Sequence, residues 1–350
     1  MPDLIRIGLI GAGWIGSHHG LNVLKNPHAE LMAVADADPH RAEAFLASAG
    51  IDGRACGDHQ QLLDQQDIDA VIIASPNGMH AEQAVAAAQA GKHVYLEKPM
   101  ALNLDDCRKV AEAVAQAGVV CDMGYHRRFN PLVQYAKGLQ VEGKLGDLVL
   151  AESDYVHYIP GEWGIWSWLG KEDVAGSLIH AGCGHNVDLL RYFCGEVAEV
   201  SCFKDIRMPR TIQVETEDIA IINLRFESGA MGRAVLFVGP IRPFTFTLHL
   251  YGTKGTVYDN RVWFDSIPRF DQPGHEKDCI ELPHSWIPDN VQGGIAEPWD
   301  KNLDAFIDDV RLGRRPFNSA ASGFNTAAVC FAAVQSAREK RVIEPEKLPV

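Results

Sequence analysis

Apolar and polar positions follow a regular alternation over the first 120 or so residues. Short apolar runs predict strands at 5–10, 30–35, 70–74, 94–96 and 119–123. Segments rich in helix-forming residues separate them and predict helices at 15–25, 41–49, 81–90 and 104–116. The run at 70–74 is apolar throughout, as expected for a strand that is covered on both faces. Because strands and helices alternate, the pattern predicts a doubly wound parallel α/β sheet.

The pattern changes near residue 124. Longer runs, several of them alternating between polar and apolar residues, predict strands at 197–206, 218–227, 230–238, 245–252 and 256–264. Short connections such as Glu227-Ser228-Gly229 indicate that these strands pair antiparallel. Two closing helices are expected at 300–312 and 323–340. We therefore predict two domains, residues 1–123 and residues 124–350, the second with an α+β organisation.

Composition and charge exclude several classes of protein. The 350 residues carry a net charge of −14, which would repel the phosphates of nucleic acid. No run of about 18 apolar residues predicts a membrane span, and the first residues lack the pattern of a secretion signal. The eight cysteines are scattered without a Cys-x-x-Cys pair. That spacing favours reduced thiols in the cytoplasm over a disulfide framework or a metal site.

A glycine-rich turn follows the first predicted strand. Residues 11–16, Gly-Ala-Gly-Trp-Ile-Gly, match Gly-x-Gly-x-x-Gly and open a helix, the context in which this pattern binds a dinucleotide. Gly11 permits the tight turn, Gly13 lets the backbone approach the pyrophosphate, and Gly16 lets helix and strand pack closely. The helix N-terminus then faces the phosphate charge. Trp14 and Ile15 are expected at the cofactor as well.

Asp36 ends the second predicted strand, twenty residues after Gly16. A carboxylate at that place accepts hydrogen bonds from the ribose hydroxyls and repels a 2′-phosphate, which predicts NAD rather than NADP. The loop after the strand at 70–74 is also expected to line the cofactor through Ser75, Asn77 and His80. The alternative for Ser75 and His80 is a Pro-Asn turn with a helix N-cap.

The strand at 94–96 ends in Glu97-Lys98-Pro99. In an open parallel sheet, ligands bind outside the carboxyl ends of the strands, so Lys98 is predicted beside the nicotinamide and the substrate. Glu97 is expected at the cofactor too, where it helps to keep the ammonium charged. Lys98 can then stabilise an alkoxide that develops as a hydroxyl is oxidised.

A second group of candidate residues lies in the small-residue segment 176–188. His185 and Asp188 are three apart at a predicted helix N-terminus that faces a cleft. A histidine with a near-neutral pKa can take a hydroxyl proton as a hydride leaves the same carbon, so His185 and His180 are candidate bases. The alternative is that these are structural histidines.

Two further segments supply candidate contacts. Tyr125, Arg127 and Arg128 lie at the predicted domain junction, where the arginines either orient substrate or cofactor oxygens or form interdomain ion pairs. Trp163 and Trp166 belong to an aromatic cluster whose flat faces suit the C–H faces of a sugar ring. Packing in a core or in a subunit interface is the alternative for these tryptophans.

These residues together resemble the Gfo/Idh/MocA family, which takes its name from glucose-fructose oxidoreductase, inositol dehydrogenase and a rhizopine catabolism protein. The matching positions are residues 11–16, Asp36, Glu97-Lys98-Pro99, residues 127–130 and His185-x-x-Asp188. The resemblance covers nearly the whole chain. It implies a Rossmann domain, then a domain with a large, mostly antiparallel sheet whose exposed face packs against another subunit in a homodimer or homotetramer. It also implies NAD(P)-dependent redox chemistry on sugars, inositols or their derivatives.

One position departs from the family pattern. Many dehydrogenases of the family carry an aspartate four residues before the histidine that matches His185, where this chain has Ala181. Either His180 or Asp188 assists His185 instead, or Lys98 and His185 act without a carboxylate partner.

Three functions are compatible with this sequence. We expect an NAD-dependent dehydrogenase that oxidises a secondary hydroxyl of a sugar, an inositol or a sugar derivative, without a metal ion. An NAD-dependent glycoside 3-dehydrogenase or glycosidase is the alternative, because oxidation at C3 acidifies the neighbouring C–H and permits elimination of an aglycone. A non-catalytic NAD-sensing regulator is the third class. Family members of that kind tend to lose the lysine and the histidine, and both are present here.

Overall fold

The computed structural model describes residues 4–159, 166–208, 214–264, 279–286, 297–316 and 318–350. The N-terminal part is a six-stranded, wholly parallel sheet with the strand order β3-β2-β1-β4-β5-β6. Its strands are β1 Ile5–Ile10, β2 Ala29–Ala35, β3 Arg54–Cys56, β4 Ala70–Ile73, β5 His93–Leu96 and β6 Cys121–Met123. Its helices are α1 Trp14–Val23, α2 Pro39–Ala49, α3 His59–Leu63, α4 His80–Gln89 and α5 Leu104–Ala117.

Helices cover both faces of this sheet. Neighbouring residues of β4 point into different cores, since Ile72 packs in one and Ile73 in the other. Local signals fix the helix ends: in α2, Asp38 accepts a hydrogen bond from the His40 N–H at the start, and Gly50 closes the helix in a left-handed conformation. The strand order reverses between β1 and β4, which opens a crevice at the carboxyl ends of these strands.

The C-terminal part contains a nine-stranded sheet with the order β15-β14-β13-β12-β7-β10-β9-β8, and β11 pairs with β7. Among the described strands, β7 and β10 are parallel and the other pairs are antiparallel. The strands are β7 Leu148–His157, β8 Val197–Asp205, β9 Ile219–Phe226, β10 Met231–Val238, β11 Thr245–Phe246, β12 His249–Gly252, β13 Gly255–Tyr258, β14 Arg261–Phe264 and β15 Ile280–Glu281. The helices are α6 Pro131–Val141, α7 Trp166–Leu169, α8 Glu172–Ala175, α9 Gly184–Cys194, α10 Trp299–Leu312 and α11 Ala320–Glu339.

The sequence pattern missed some of these elements. The central strand β7 was not predicted, and the strand predicted at 256–264 is a hairpin that turns at Asp259, whose φ is 49°. The strand predicted at 245–252 is interrupted between β11 and β12, where the chain changes its pairing along β7. The predicted two-domain class is otherwise what the structure contains.

Helix α10 does not stay with the second sheet. Leu303 and Phe306 of α10 pack in the same core as Ile7 and Tyr95 of the N-terminal sheet. The Tyr95 hydroxyl also donates to Asn302 Oδ1 at 3.2 Å. The division at residue 124 stays a prediction, and the N-terminal core includes a helix from far beyond that point.

Candidate active site

The glycine turn between β1 and α1 has the geometry that a dinucleotide requires. Gly11 has a φ of 97°, and a Cβ there would lie 2.7 Å from the backbone carbonyl of Ala74. A Cβ at Gly16 would lie 1.9 Å from the Gly11 oxygen, so α1 and the turn approach each other closely. A Cβ at Gly13 would meet none of the described atoms within 4 Å. The space above Gly13 is therefore open, as a pyrophosphate needs.

Asp36 follows β2 and lies against the glycine turn. Its Oδ2 accepts a hydrogen bond from the Ala12 N–H at 2.8 Å, and its Oδ1 accepts one from the Asp38 N–H at 2.9 Å. These bonds orient the partly buried carboxylate beside the turn, where it can accept hydrogen bonds from the diol of an adenosine ribose. The residues present fit NAD.

Trp14 is 68% exposed at the start of α1. Its ring contacts those of His18 and Trp299, with centroids 4.4 and 5.5 Å away. The Trp299 ring also lies 5.6 Å from the His126 ring. An aromatic row therefore leads from the glycine turn into the site, while Ile15 beside Trp14 is partly buried.

The loop after β4 makes hydrogen bonds within the protein. The Ser75 hydroxyl donates to Gln83 Oε1 at 2.6 Å, and the Asn77 amide donates to the Ala175 carbonyl at 2.9 Å. Asn77 thus ties the cofactor-binding part of the chain to the end of α8, just before the second group of candidate residues. Ser75 is only partly buried, so it stays a candidate contact with the cofactor.

His80 is fully engaged by the backbone. It is 1% exposed, its Nδ1 lies 2.7 Å from the Pro99 carbonyl, and its Nε2 lies 2.9 Å from the Ser75 carbonyl. The structure does not support the predicted contact of His80 with the cofactor, because both ring nitrogens already face carbonyl oxygens. His80 instead fixes the loop after β4 to the segment that carries Lys98.

Glu97, at the end of β5, is buried beneath the site. Its Oε1 lies 2.8 Å from His19 Nε2, and its Oε2 accepts a hydrogen bond from the Lys98 N–H at 3.1 Å. Burial disfavours the carboxylate, but the hydrogen bond and charge of His19, together with Lys98, lower the pKa of Glu97 to about 2. Glu97 is therefore a fixed negative charge next to Lys98. Both of its carboxylate oxygens are bound by protein groups, and neither of these contacts points to the cofactor.

The ammonium of Lys98 reaches across to the second sheet's domain. Its Nζ donates to the Ala181 carbonyl at 2.9 Å. Burial lowers the pKa of Lys98, whereas the charges of Glu97 and Glu297 raise it. An ammonium has three N–H donors, and Ala181 uses one, so a substrate oxygen can accept from another.

The acceptor for Lys98 comes from an unusual turn. Ile179–Cys183 is π-helical and leads directly into α9, a distortion often found at functional sites. This turn brings the Ala181 carbonyl to Lys98 and places His185 in the first turn of α9. The sequence signal for it was the run of small residues, which predicted the cleft but not its backbone geometry.

His185 is 5% exposed, and its ring packs edge-on against two aromatic neighbours. The centroids of His126 and Tyr125 lie 4.8 and 5.9 Å away. Burial, with the charges of His126, Lys98 and Arg127, holds the pKa of His185 well below its usual range. The ring is therefore neutral near pH 7, the form that can accept a proton from a hydroxyl.

His180 lies in different surroundings, on the π-helical turn that directly precedes the helix of His185. Its ring centroid is 3.9 Å from that of Phe331 in α11, and its charged neighbours are Glu217 and Lys204. Burial lowers the pKa of His180 to about 4. The prediction of His180 as a catalytic or substrate-binding residue is not supported, because these contacts are those of a packed core histidine.

Arg128 and Asp188 are occupied with each other. Arg128 Nε and Nη2 donate to the two carboxylate oxygens of Asp188 at 2.7 and 2.6 Å, and the residues are 5% and 1% exposed. The predicted substrate contacts of both residues are not supported, because this bidentate pair uses their charged atoms. Arg128 forms an ion pair, but its partner Asp188 lies in the same predicted domain, so the pair is not the interdomain one that the sequence left open.

Arg127 and Tyr125 form part of the wall of the site. The Arg127 guanidinium packs over the ring of Phe246 at 4.6 Å and donates to Glu297 Oε1 at 2.5 Å. Tyr125 is 2% exposed with its ring against His185, and burial raises the pKa of its hydroxyl well above the usual value. Both residues support the site's walls by these contacts.

The sequence interpretation missed Glu297 and the role of His126. His126 Nε2 lies 2.7 Å from Glu297 Oε2, and the Glu297 side chain is 12% exposed. Burial disfavours the carboxylate, but the charge of Arg127 and the hydrogen bond from His126 lower the pKa of Glu297 to about 2. No local pattern marks Glu297, since it lies 170 residues beyond its partners and reaches them only through the packing of α10.

Three further sequence expectations concern the tryptophan cluster, a metal ion and a membrane span. Trp163 lies outside the described residues, and only the backbone of Trp166 is described, in α7. Over the described residues, no group of three or more His, Cys, Asp and Glu side chains is placed to hold a metal ion. A helix long and apolar enough to cross a membrane is also absent from the described part of the chain.

Comparison with known proteins shows which family the chain belongs to. The family model described as "Oxidoreductase family, NAD-binding Rossmann fold" matches residues 5–125, and "GFO/IDH/MocA C-terminal domain" matches residues 133–258. These two matches span most of the chain. This chain belongs to the Gfo/Idh/MocA family. The predicted fold class, the NAD cofactor and the oxidoreductase class are thereby confirmed.

Several Gfo/Idh/MocA relatives match over nearly their full lengths. A myo-inositol 2-dehydrogenase of Thermotoga maritima is 27% identical over 346 residues, which cover 98% of this chain and 99% of the relative. A 4-carboxy-2-hydroxymuconate-6-semialdehyde dehydrogenase of a Sphingobium species is 32% identical over 91% of this chain and 94% of the relative. The solved structure of levoglucosan dehydrogenase in complex with NADH superposes with a TM-score of 0.87 at 25% identity, covering 98% of this chain and all of that one.

Proposed function

We propose that this protein is an NAD-dependent dehydrogenase that oxidises a secondary hydroxyl of a sugar, an inositol or a related polyol, with Lys98 and His185 as its catalytic residues. The observation that carries the proposal is the bridge from Lys98 to the turn before His185, through the Ala181 carbonyl. It joins an ammonium at the cofactor crevice to a neutral histidine. The inositol and levoglucosan dehydrogenases among the relatives support the substrate class.

The proposed mechanism assigns one task to each residue. The turn at residues 11–16 and Asp36 would hold NAD, which when bound would supply the acceptor for the hydride of the carbinol carbon. Lys98 donates a hydrogen bond to the reacting oxygen and stabilises the negative charge that develops there. His185 removes the hydroxyl proton, directly or through Lys98. The Ala181 carbonyl and the Glu97 carboxylate hold Lys98 in place by their contacts.

A substrate screen tests the proposal. Inositols, free aldoses, sugar acids and aryl glycosides are incubated with NAD and then with NADP, while 340 nm absorbance and aglycone release are followed together. A rise in absorbance with NAD on one class of polyol is expected. Aglycone release without NADH accumulation would replace the proposal by the oxidation–elimination alternative. NAD binding without turnover on any compound would point to an untested substrate or to a non-catalytic sensor.

We propose that Asp36 makes the enzyme prefer NAD over NADP. Asp36→Ser is expected to lower kcat/KM with NAD by about tenfold or more, the scale of one hydrogen bond to a charged group. It should also raise kcat/KM with NADP, because the repulsion of a 2′-phosphate is gone. Asp38→Ser is the control, since Asp38 caps α2 two residues further on. An unchanged ratio of the two cofactors in Asp36→Ser would contradict the assignment.

We also propose that two copies of the chain associate through the open face of the nine-stranded sheet. Helices α9 and α11 pack on one face, as Val187 and Val329 share a core with the sheet residue Ile222. On the other face Phe203 and Ile221 are 76% and 41% exposed and lie opposite each other on β8 and β9. Such an exposed apolar area is typical of an interface.

The substitution Phe203→Asp is expected to shift the protein from a dimer or tetramer to a smaller species in light scattering after gel filtration. A buried carboxylate without a partner opposes association. The matched control is Val141→Asp, because Val141 is 78% exposed at the end of α6, away from this sheet. A wild-type monomer, or an unchanged mass in Phe203→Asp, would contradict the proposed interface.

We propose a cytoplasmic location for the protein. All eight cysteines are described, none forms a disulfide, and seven are buried. Burial raises the pKa of several of these thiols, for example that of Cys194 to about 12, so they are unreactive near pH 7. This pattern suits a reducing compartment.

A further inference from the structure

Glu297 is a carboxylate that the second half of the chain delivers to the site. It precedes α10 and accepts hydrogen bonds from His126 Nε2 at 2.7 Å and Arg127 Nη2 at 2.5 Å. Since an ionised carboxylate only accepts, the proton of the first bond is on His126 Nε2. The three side chains are buried, with exposed fractions of 6%, 3% and 12% for His126, Arg127 and Glu297.

The Glu297 cluster contacts His185, the candidate base of the proposed function, and acts on Lys98 through its charge. The ring of His126 lies 4.8 Å from that of His185, at an interplanar angle of 62°. The negative charge of Glu297 also acts on Lys98. Glu97 and Glu297 are the two carboxylates that favour the ammonium form of this lysine. The cluster therefore packs against the candidate base, and its carboxylate influences the candidate ammonium through charge.

Other buried carboxylates near this part of the fold are committed elsewhere. Asp188 binds Arg128 through both oxygens. Glu217 accepts hydrogen bonds from Ser177 and from the ammonium of Lys204 at 2.8 Å. Neither carboxylate is therefore placed to assist His185.

We propose that Glu297 is a positioning residue of the catalytic centre, which holds His126 against His185 and keeps Lys98 in its ammonium form. The proposal rests on the dehydrogenase function proposed above. A carboxylate from a different part of the chain thus acts on His185 through His126, where position 181 carries alanine.

The sign of the expected pH effect follows from the groups that face Lys98. Glu97 and Glu297 raise the pKa of Lys98, whereas burial and Arg127 lower it. The histidines at 80, 157 and 185 also face Lys98, and its charge lowers their pKa values. Activity that needs the ammonium is lost as the pH rises through the pKa of Lys98. Without the Glu297 charge that pKa falls, so the alkaline limb of activity moves to lower pH.

The test compares Glu297→Gln, Glu297→Asp and the control Glu196→Gln. Glu196 binds Arg191 through both oxygens, much as Glu297 binds its partners, but it is not among the charges that act on Lys98. Glu297→Gln is expected to move the alkaline limb of kcat/KM down by about one pH unit, the effect of one neighbouring charge. Glu297→Asp should restore part of the wild-type profile, and Glu196→Gln should leave it unchanged. A fall in kcat/KM at every pH without a shifted limb would reduce Glu297 to a structural role.

A second measurement does not depend on turnover. Lysine labelled with 13C at Cε is titrated by NMR in the wild type and in Glu297→Gln, with the Lys98 signal assigned by its loss in Lys98→Met. The Lys98 titration is expected at lower pH in Glu297→Gln. An unshifted titration would overturn the proposal even if the wild type were inactive. If the Lys98 titration shifts in Glu297→Gln but the wild type shows no activity, the role of Glu297 is supported and the dehydrogenase function is contradicted instead.

Discussion

Lys98→Met is expected to lower kcat by about a hundredfold or more, the scale of one electrostatic or acid–base contribution. The methionine keeps an unbranched apolar stem of similar length but carries no N–H donor. It can bind neither the Ala181 carbonyl nor a developing alkoxide. NAD affinity, measured by fluorescence titration, should stay close to the wild-type value, because the glycine turn and Asp36 are untouched.

Lys92→Met is the matched control for this experiment. Lys92 is 6% exposed at the opposite end of the same strand, and its ammonium donates to the carbonyls of Gln65 and Ile68. Its loss removes the same chemical group from the same domain, and lowers thermal stability without affecting the reaction. If Lys98→Met retains wild-type turnover with NAD bound, Lys98 takes no part in the chemistry.

The second large effect is expected from His185→Phe. The phenyl ring keeps the edge-on packing against Tyr125 and His126 but has no nitrogen to take the hydroxyl proton. We expect kcat for alcohol oxidation to fall by about 10²- to 10⁴-fold, the range for a general base. In the wild type, oxidation should persist well below pH 6.5, because burial keeps the pKa of His185 below that value and the neutral base survives.

His180→Phe distinguishes a catalytic loss from a packing loss. His180 is buried on the π-helical turn before α9, five residues from His185, and its ring contacts Phe331. This variant should keep kcat within about twofold, since the contact with Phe331 is apolar and a phenyl ring preserves it. An equal loss of activity in both variants would mean that the turn is simply intolerant of substitution.

The sequence predicted the cofactor half of this molecule well, because its signals are local. The spacing of Gly11, Gly13 and Gly16 between a strand and a helix is enough to place a dinucleotide turn, and Asp36 is at the end of the next strand. Lys98 was singled out in the same way, as the second residue after β5. Each of these positions follows from strand periodicity and from the geometry of parallel sheets.

The partners of the proposed catalytic residues were much harder to predict. The sequence does not distinguish His180 from His185. The π-helical turn between them directs His180 into a core and His185 into the site. Arg128 and Asp188 lie in two separate candidate segments, sixty residues apart in the chain. The fold brings them together as a buried ion pair. Glu297 gave no signal at all, because its contacts depend on where α10 packs.

The position of α10 also has a consequence for how the protein is made. Leu303 and Phe306 complete a core whose strands were synthesised roughly two to three hundred residues earlier. On the ribosome, the N-terminal sheet emerges first and stays incomplete on one side until nearly the whole chain has been translated. Early intermediates therefore expose the apolar surface around Ile7 and Tyr95, which makes them candidates for aggregation or chaperone binding. A gene fragment that stops at residue 123 inherits this defect permanently, so it is a poor starting point for a stand-alone NAD-binding module.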